Sequence, residues 1–512
     1  MSAAAPADNE DIAALAKGGR TNIFGFLLRL AARLPFLFIA GRYYGAEALG
    51  RFAYAVLIVE FAAQIATFGL KRGLAQQLAS TDKPHVCVVW DGMLVAFLAS
   101  AAATILLFIF PQAMFPNSPV RGVEWLLPLI VFAVAGADVA LAALAYRHNV
   151  RATVTARAIV EPWVLSIAAI LLYFTLSKRD GLIIAYVVSM LAALLASLWP
   201  LYKSYGLPRG WRPQPVALWA LARRNTPLAA ADAIEWGSRR IDIAILGLFF
   251  SPAIVGIYYV AQQVASLPQK LKTSFDPILS PVITQKLAEG DKEAVARQIR
   301  QVGFWIIAAQ TGIALALGIP GEAVMGLVGA AFVGGTGALA FLLAAEVIAA
   351  TAAVSEGALV YVARHRNLMI SMLMVIIQAS LSVALILVMR SLGWSEGFQA
   401  AGPALALMLA LGMASILKAR LLGRLLGAPV QGWRWSLIWA AAAAIAVGSA
   451  VISLPPSLEW AELVFGIPLI LLAFGIVLWV KGFTHEDREL FRKHAGEEPT
   501  LPPPPGVLPP DR

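Results

Sequence analysis

Apolar stretches long enough to cross a bilayer recur from one end of the chain to the other. A bilayer core is about 30 Å thick, so a spanning helix needs about 20 mostly apolar residues. We therefore predict an all-α polytopic membrane protein with about 14 transmembrane helices. The predicted spans lie at residues 22–42, 48–70, 86–110, 122–146, 158–176, 181–201, 225–249, 253–276, 302–328, 335–361, 367–389, 401–417, 435–454 and 460–480.

The polar segments between these spans predict how the chain is divided. No loop is long enough to fold as an extramembrane domain, so the function is expected to reside within the bilayer. The expected parts are a cytoplasmic amphipathic segment (1–21), an N-terminal six-helix lobe (22–201), a cytoplasmic linker (202–224), a C-terminal six-helix lobe (225–422), two additional transmembrane helices (423–480) and a cytoplasmic Pro-rich disordered tail (481–512).

Composition strengthens the membrane prediction. Hydrophobic residues make up 60% of the 512 residues, charged residues only 14%, and the mean hydropathy is +0.76. Soluble domains average about 45–50% apolar and about 25% charged residues. An ordinary soluble enzyme and a disordered chain are therefore both excluded.

The distribution of charge predicts the orientation in the membrane. With the N-terminus in the cytoplasm, 28 of the 40 basic residues fall in inside segments and 6 in outside loops. Basic residues favour the cytoplasmic side, so we expect both termini inside. The net charge of +10 is then a consequence of topology, and no nucleic-acid partner is expected.

Candidate enzymatic chemistry is sparse. The single cysteine, Cys87, excludes disulfides and Cys-rich metal sites. The sequence contains no hydrolase elbow, phosphate-binding loop or cluster of metal ligands. We therefore expect neither a catalytic residue nor a metal nor a cofactor, and we predict that the protein is not an enzyme.

A weak internal repeat indicates two related halves. An offset of 206 residues aligns Arg33 with Arg239, Gly41 with Gly247, and Gly50 with Gly256. The aligned segments both start inside, so the halves share one orientation. This predicts two six-helix bundles related by an axis along the membrane normal, with the last two spans appended.

Charged residues inside predicted spans mark the candidate site, because each costs about 2.5–3.5 kcal/mol at a helix centre. Arg29 and Arg33 share one face of the first span, and on the antiparallel second span Glu60 and Gln64 lie at matching depths. Two interpretations stay open. One is an Arg33–Glu60 ion pair that only joins two helices; the other is the polar wall of a central cavity.

The seventh and eighth spans carry further polar groups. On the seventh, a spacing of 3, 4 and 3 predicts one polar stripe, in which Glu235 pairs with Arg239. The expected cavity groups on these two spans are Asp232, Glu235, Arg239, Arg240, Asp242, Gln263 and Lys270. Asp91, Asp138, Glu161 and Glu356 fall nearer the inside ends of spans, where interfacial capping accounts for them.

The cations among these groups predict the charge of the ligand. The candidate substrate-binding residues are Arg29, Arg33, Arg239, Arg240 and Lys270. Five cations around one cavity favour an anionic substrate, and guanidinium groups suit phosphate geometry. Glu60, Gln64, Asp232, Glu235, Asp242 and Gln263 complete the cavity and are candidates for coupling to an ion, Na⁺ or H⁺.

Two segments resemble a known family. Residues 40–79 (AGRYYGAEALGRFAYAVLIVEFAAQIATFGLKRGLAQQLA) look like the start of the polysaccharide (O-antigen or exopolysaccharide) repeat-unit flippases. Residues 255–287 (VGIYYVAQQVASLPQKLKTSFDPILSPVITQKL) resemble their second-half signature. That family belongs to the MOP superfamily, beside lipid II flippases and MATE transporters, and the resemblance covers about residues 15–425.

The resemblance implies a fold of two six-helix lobes and a function. The implied activity is transfer of undecaprenyl-diphosphate-linked oligosaccharides to the outer leaflet by alternating access, for lipopolysaccharide or exopolysaccharide biosynthesis. Expected partners are this lipid-linked oligosaccharide diphosphate, membrane lipids and other polysaccharide assembly proteins. The alternatives are a MATE-like cation-coupled multidrug exporter, which needs an acid-dominated cavity, and a non-transport membrane component of polysaccharide assembly.

Overall fold

The computed structural model describes residues 34–81, 83–116, 119–147, 149–175, 180–208, 210–268, 286, 290–453 and 459–484. Every regular element in these ranges is a helix, which confirms the predicted all-α class. The predicted amphipathic segment, the first part of the predicted first span and most of the tail lie outside the described residues. Ten stretches of the described chain are long and apolar enough to cross a membrane, and the count of 14 stays a prediction.

The first half of the chain forms one bundle, here called the N-bundle, around a core that includes Leu49, Val131 and Leu182. Its second and fifth helices contact most of the others. The helices are α1 (34–44), α2 (Gly45–Ala66), α3 (Leu70–Ala79), α4 (His85–Ile109), α5 (Ile130–Tyr146), α6 (150–175) and α7 (Gly181–Tyr205).

The second half forms the C-bundle, and two further helices pack on its outer side. The last two helices contact α11 of this bundle; the Gly312 backbone, for example, lies beside the Phe474 ring. The helices are α8 (Pro215–Ser238), α9 (Ile241–Phe249), α10 (252–268), α11 (Lys292–Gly318), α12 (Gly321–Val328), α13 (Thr336–Val362), α14 (Arg364–Ser391), α15 (Glu396–Leu426), α16 (Ser436–Ile452) and α17 (459–482).

A reversal at Gly45 separates the first two spans although the helices follow each other directly. Gly45 has a φ of 86°, a backbone conformation that favours glycine. The Phe36 and Phe52 rings are 5.8 Å apart, whereas 16 residues of straight helix would separate them by about 24 Å. The chain therefore turns back on itself, and α1 and α2 are antiparallel neighbours.

The predicted seventh span is two helices rather than one, which corrects the single span at 225–249. Helix α8 begins at Pro215, inside the predicted linker, and ends at Ser238, and α9 starts at Ile241. Helix α8 packs on α2, α3 and α4 of the N-bundle, whereas α9 packs on α14 and α15 and also touches α2. The two parts thus have different main neighbours, and the helix breaks between them.

The repeat-related glycines Gly50 and Gly256 meet where α2 and α10 cross. A side chain built on Gly50 would put its Cβ atom 2.5 Å from the Gly256 nitrogen, and one on Gly256 would lie 2.8 Å from the Gly50 nitrogen. Only hydrogen fits at either position. Two residues matched by the 206-residue offset thus face each other between the two bundles, as a repeat axis at this point requires.

This contact predicts a steric effect of substitution. In Gly256→Ala the new Cβ would lie 2.1 Å from the Ala46 carbonyl oxygen, so two backbones must separate. We expect a loss of about 1–3 kcal/mol in stability, the usual cost of overpacking. It would be measured as a lower melting temperature of the purified protein in detergent.

The matched control is Gly357→Ala in α13, where an added Cβ atom meets no other atom within 4 Å. This variant should melt at or slightly above the wild-type temperature, because alanine favours helix more than glycine does. Equal melting temperatures for both variants would contradict the close approach of α2 and α10.

Candidate functional site

Two cavities lie on either side of α10 in the described part of the structure. The N-side cavity, of about 200 Å³, lies against the N-bundle. The C-side cavity, of about 360 Å³, lies against the C-bundle. Four residues line both cavities, so one polar face of α10 together with the α8–α9 break separates them: Arg240, Gln262, Gln263 and Ser266.

The arginine pair at the α8–α9 break faces these cavities. Arg240 is half-buried and lines both, with its guanidinium carbon 4.3 Å from the centre of the Trp236 ring. Arg239 is exposed and lines the C-side cavity. None of the ion pairs formed by the described residues includes either arginine. Among the described residues, neither guanidinium group has a carboxylate partner.

The predicted acidic stripe on the seventh span is split by the helix break. Asp232 and Glu235, on α8, contact Arg72 of α3 at 3.0 and 2.7 Å. The expected pairing of Glu235 with Arg239 is therefore wrong: Glu235 lies in α8 and meets the N-bundle instead. The two acids join α8 to α3, and among the described residues Arg239 has no carboxylate partner.

Asp242 lies beyond the break and is fully buried. The Tyr258 hydroxyl donates to its Oδ2 at 2.7 Å, the Gln262 amide donates at 3.0 and 3.1 Å, and the Ile243 amide donates at 2.9 Å. These donors are neutral and come from α9 and α10. Asp242 is held behind Gln262, which itself lines both cavities, so its carboxylate fixes the cavity wall.

Glu60 and Gln64 occupy different environments on α2. Glu60 lines the N-side cavity and accepts a hydrogen bond from the Tyr186 hydroxyl at 3.1 Å. Gln64 is buried, outside the residues that line this cavity, and accepts from the Lys71 ammonium at 2.9 Å. The predicted partners Arg33 and Arg29 lie outside the described residues, as does Lys270, so the Arg33–Glu60 ion pair stays a prediction.

Sequence reasoning missed an ion-pair network inside the N-bundle. Lys71 contacts Asp138 at 2.6 Å, and Arg157 pairs with both Asp138 and Glu161. These acids were assigned to interfacial capping and the cations to loops. The i, i+4 spacing of Arg157 and Glu161 could have predicted their ion pair from the sequence. The pairing of Lys71 with Asp138 could not be predicted, because it depends on the packing of α3 against α5.

A second buried ion pair forms part of the wall of the C-side cavity. The Lys418 ammonium donates to Glu356 at 2.9 Å and to the Ser371 hydroxyl at 3.0 Å, which joins α15, α13 and α14. The charge pattern placed Lys418 in an inside loop. It lies instead on α15, with only 7% of its side chain exposed. The pairing compensates the Lys418 charge, so the cationic part of this cavity lies at Arg239 and Arg240.

A sequence model of the family described as "Polysaccharide biosynthesis protein" matches residues 22–286, which is more than half of the chain. The chain belongs to this family. The match covers α1 to α10 and therefore includes Arg240, Asp242 and the face of α10 that lies between the cavities. No curated protein sequence matches this family member.

Solved structures show which fold this member of the family adopts. An inward-facing multidrug resistance MATE family transporter of the MOP superfamily matches with a TM-score of 0.62 at 14% identity, over 78% of this chain and 98% of its own. The lipid II flippase MurJ, in an inward closed conformation, matches with a TM-score of 0.62 at 11% identity, over 92% and 99%. A Vibrio cholerae MATE transporter mutant matches with a TM-score of 0.51 at 14% identity, over 82% and 98%.

These likenesses confirm the MOP-type fold predicted from the sequence. The MurJ match spans nearly all of both chains and so extends further along this chain than the MATE matches do. The family match assigns the chain to the polysaccharide biosynthesis family, and the solved structures show that it has the fold of MATE transporters and of MurJ.

The hydrogen bonds around Asp242 generate a prediction for stability. Asp242→Ala leaves the Tyr258 hydroxyl and the Gln262 amide buried without their acceptor, at about 1–3 kcal/mol for each group. Asp242→Asn keeps one carbonyl acceptor, so we expect a smaller loss. Melting temperatures of the purified variants should fall in the order wild type, Asp242→Asn, Asp242→Ala. An unchanged melting temperature in Asp242→Ala would contradict the role of the carboxylate in fixing α9 to α10.

Proposed function

We propose that the protein is a flippase that moves undecaprenyl-diphosphate-linked oligosaccharide repeat units across the bacterial inner membrane by alternating access. The product of this step supplies lipopolysaccharide or exopolysaccharide biosynthesis. The observation that carries the proposal is Arg240, a guanidinium at the junction of two cavities with no carboxylate partner among the described residues. Membership of the polysaccharide biosynthesis family supports the choice of substrate class.

The chemistry of the substrate explains why such a guanidinium is needed. A diphosphate carries about two negative charges, and an isolated ion costs many kcal/mol in a low-dielectric interior. A cation already fixed in place offsets this cost without reorganisation at the moment of binding. Arg240 is fixed in this way by Trp236, whose ring packs at 5.6 Å on Phe61 of the N-bundle.

Alternating access requires contacts between the halves that open at one end while the other end stays closed. Two such contacts lie at different levels of the structure. The glycine contact joins α2 to α10, and the Arg72 ion pairs join α3 to α8. In our proposal the break at Arg239 and Arg240 is where α8 changes angle relative to α9, so ligand binding and opening involve the same residues.

Orientation and partners complete the proposal. In this proposal both termini and the Arg72 contact lie at the cytoplasmic side, which the positive-inside bias supports. The lipid tail of the substrate stays in the bilayer, where membrane lipids and other polysaccharide assembly proteins are its neighbours. Arg29, Arg33, Lys270 and Gln263 are proposed to complete the binding site, with Na⁺ or H⁺ as the candidate coupling ion.

One feature of the N-side cavity favours a second function, export of organic cations. Glu60 and Glu161 both line this cavity, and an acidic wall attracts cations. Glu161, however, is paired with Arg157 at 2.8 Å, and Glu60 accepts from Tyr186, so their charge is partly compensated. The anionic substrate is therefore the better match to the described residues.

The proposal predicts that removing the charge of Arg240 impairs export. Arg240→Gln keeps the length and polarity of the side chain but loses a charge-assisted hydrogen bond, worth about 1.5–3 kcal/mol. We expect surface polysaccharide to fall roughly tenfold to a hundredfold. Arg239→Ala, on the C-side cavity alone, should have a smaller effect. Polymer at the cell surface would be measured in a deletion strain carrying each variant.

The matched control is Arg223→Gln, an exposed arginine of α8 that lies outside both cavity linings. It should support normal export. Normal export by Arg240→Gln at normal protein levels would rule out the cavity assignment. In the deletion strain, lipid-linked oligosaccharide should accumulate on the cytoplasmic face; an exporter of cations would leave it unchanged.

A further inference from the structure

The two cavities differ in the side chains that line them, although they meet at the same arginine. Apolar residues such as Phe36, Leu57 and Met190 predominate among the described residues of the N-side cavity. Most described residues of the C-side cavity have polar or charged side chains, and its apolar members are largely alanines. Arg240 lies where the apolar wall gives way to the polar one.

Away from Arg239 and Arg240, the described charged side chains that line the C-side cavity are Glu346, Glu356 and Lys418. Lys418 is held by Glu356 and by the Ser371 hydroxyl, on three different helices. Glu346, a further carboxylate, lines the same cavity. A diphosphate is disfavoured beside two carboxylates and a compensated ammonium, because like charges repel at close range.

The side-chain oxygen of Gln310 is a further hydrogen-bond acceptor in this cavity. Its side chain is 1% exposed and it lines the C-side cavity. Its amide nitrogen donates to the Pro268 carbonyl at 3.1 Å, while its Oε1 atom has no hydrogen-bond partner among the described residues. An unused buried acceptor costs free energy, and a ligand hydroxyl that reaches it would recover that cost.

Amide, hydroxyl and carboxylate groups that line one cavity match the donors and acceptors of a carbohydrate. Each sugar hydroxyl both donates and accepts, so it can bind Gln310, Ser371 and Glu346 without adding charge. Apolar side chains make up most of the described lining of the N-side cavity, beside Glu60, Glu161 and Tyr186, and this apolar part suits the first part of a hydrocarbon chain.

We propose that the C-side cavity is the sugar-binding compartment of the substrate site. In this arrangement the diphosphate binds at Arg240, the oligosaccharide lies toward α11, α13, α14 and α15, and the lipid leaves past the N-side cavity. The proposal rests on the proposed function, since it divides the same site between parts of one substrate. Gln310 and Ser371 are then specificity residues for the sugar, and Arg240 serves the diphosphate.

Binding of two probes separates these roles. The probes are undecaprenyl diphosphate, which has no sugar, and the lipid-linked oligosaccharide extracted from the host of this protein. Dissociation constants would be measured on the purified full-length protein in lipid nanodiscs. For Gln310→Leu we expect oligosaccharide binding to weaken about threefold to tenfold, as for loss of a neutral hydrogen bond, with undecaprenyl diphosphate unchanged. Arg240→Gln should weaken both probes alike.

Two further variants keep the test decisive. Ser371→Ala removes one hydroxyl at the cavity wall and should show the same selective loss if Gln310→Leu does not fold. Arg223→Gln, at an exposed position of α8 outside both cavity linings, should bind both probes as wild type does. Equal weakening of both probes by Gln310→Leu and Ser371→Ala, or no change in either, would overturn the sugar compartment. No effect of Arg240→Gln on either probe would instead overturn the proposed function.

Discussion

The cost of an unpaired charge in the membrane interior is the constraint on which this structure depends. Most ionisable groups near the cavities meet it by pairing: Arg72 with Asp232 and Glu235, Arg157 with Asp138 and Glu161, and Lys418 with Glu356. These pairs also join helices that are distant in sequence. Arg239 and Arg240 differ because none of the described ion pairs includes them, and they line the cavities. An anionic ligand bound in the cavities would offset the free-energy cost of these two charges.

The internal repeat explains where the two halves touch and why they differ. The offset of 206 residues brings Gly50 against Gly256, and it also relates the Phe36–Phe52 contact of the N-bundle to the Asp242–Tyr258 hydrogen bond of the C-bundle. The same hairpin is therefore closed by two rings in one half and by a buried carboxylate in the other. Because of this difference between the halves, the second hairpin is polar at the level where Gln262 lines the cavities.

Hydrophobic pattern alone predicted the helical class and most span positions, because about 20 apolar residues admit few other structures. The residues 40–79 and 255–287 led to the family that the sequence match confirmed. Pattern could not show that α8 ends at Ser238, since helical spacing continues through Arg239 and only packing on different bundles breaks it. Nor could it show that Lys418 is buried or that Glu235 meets Arg72. Both depend on contacts between residues far apart in the chain.

The central claim is that a diphosphate-linked oligosaccharide crosses the membrane through this protein. Its most direct test is reconstitution of the purified protein in liposomes that carry the lipid-linked oligosaccharide on the inner leaflet, with appearance of the sugar outside measured by added glycosidase. We expect the protein to accelerate this appearance, and added undecaprenyl diphosphate to compete with it. No acceleration, or competition by an organic cation in place of undecaprenyl diphosphate, would contradict the claim.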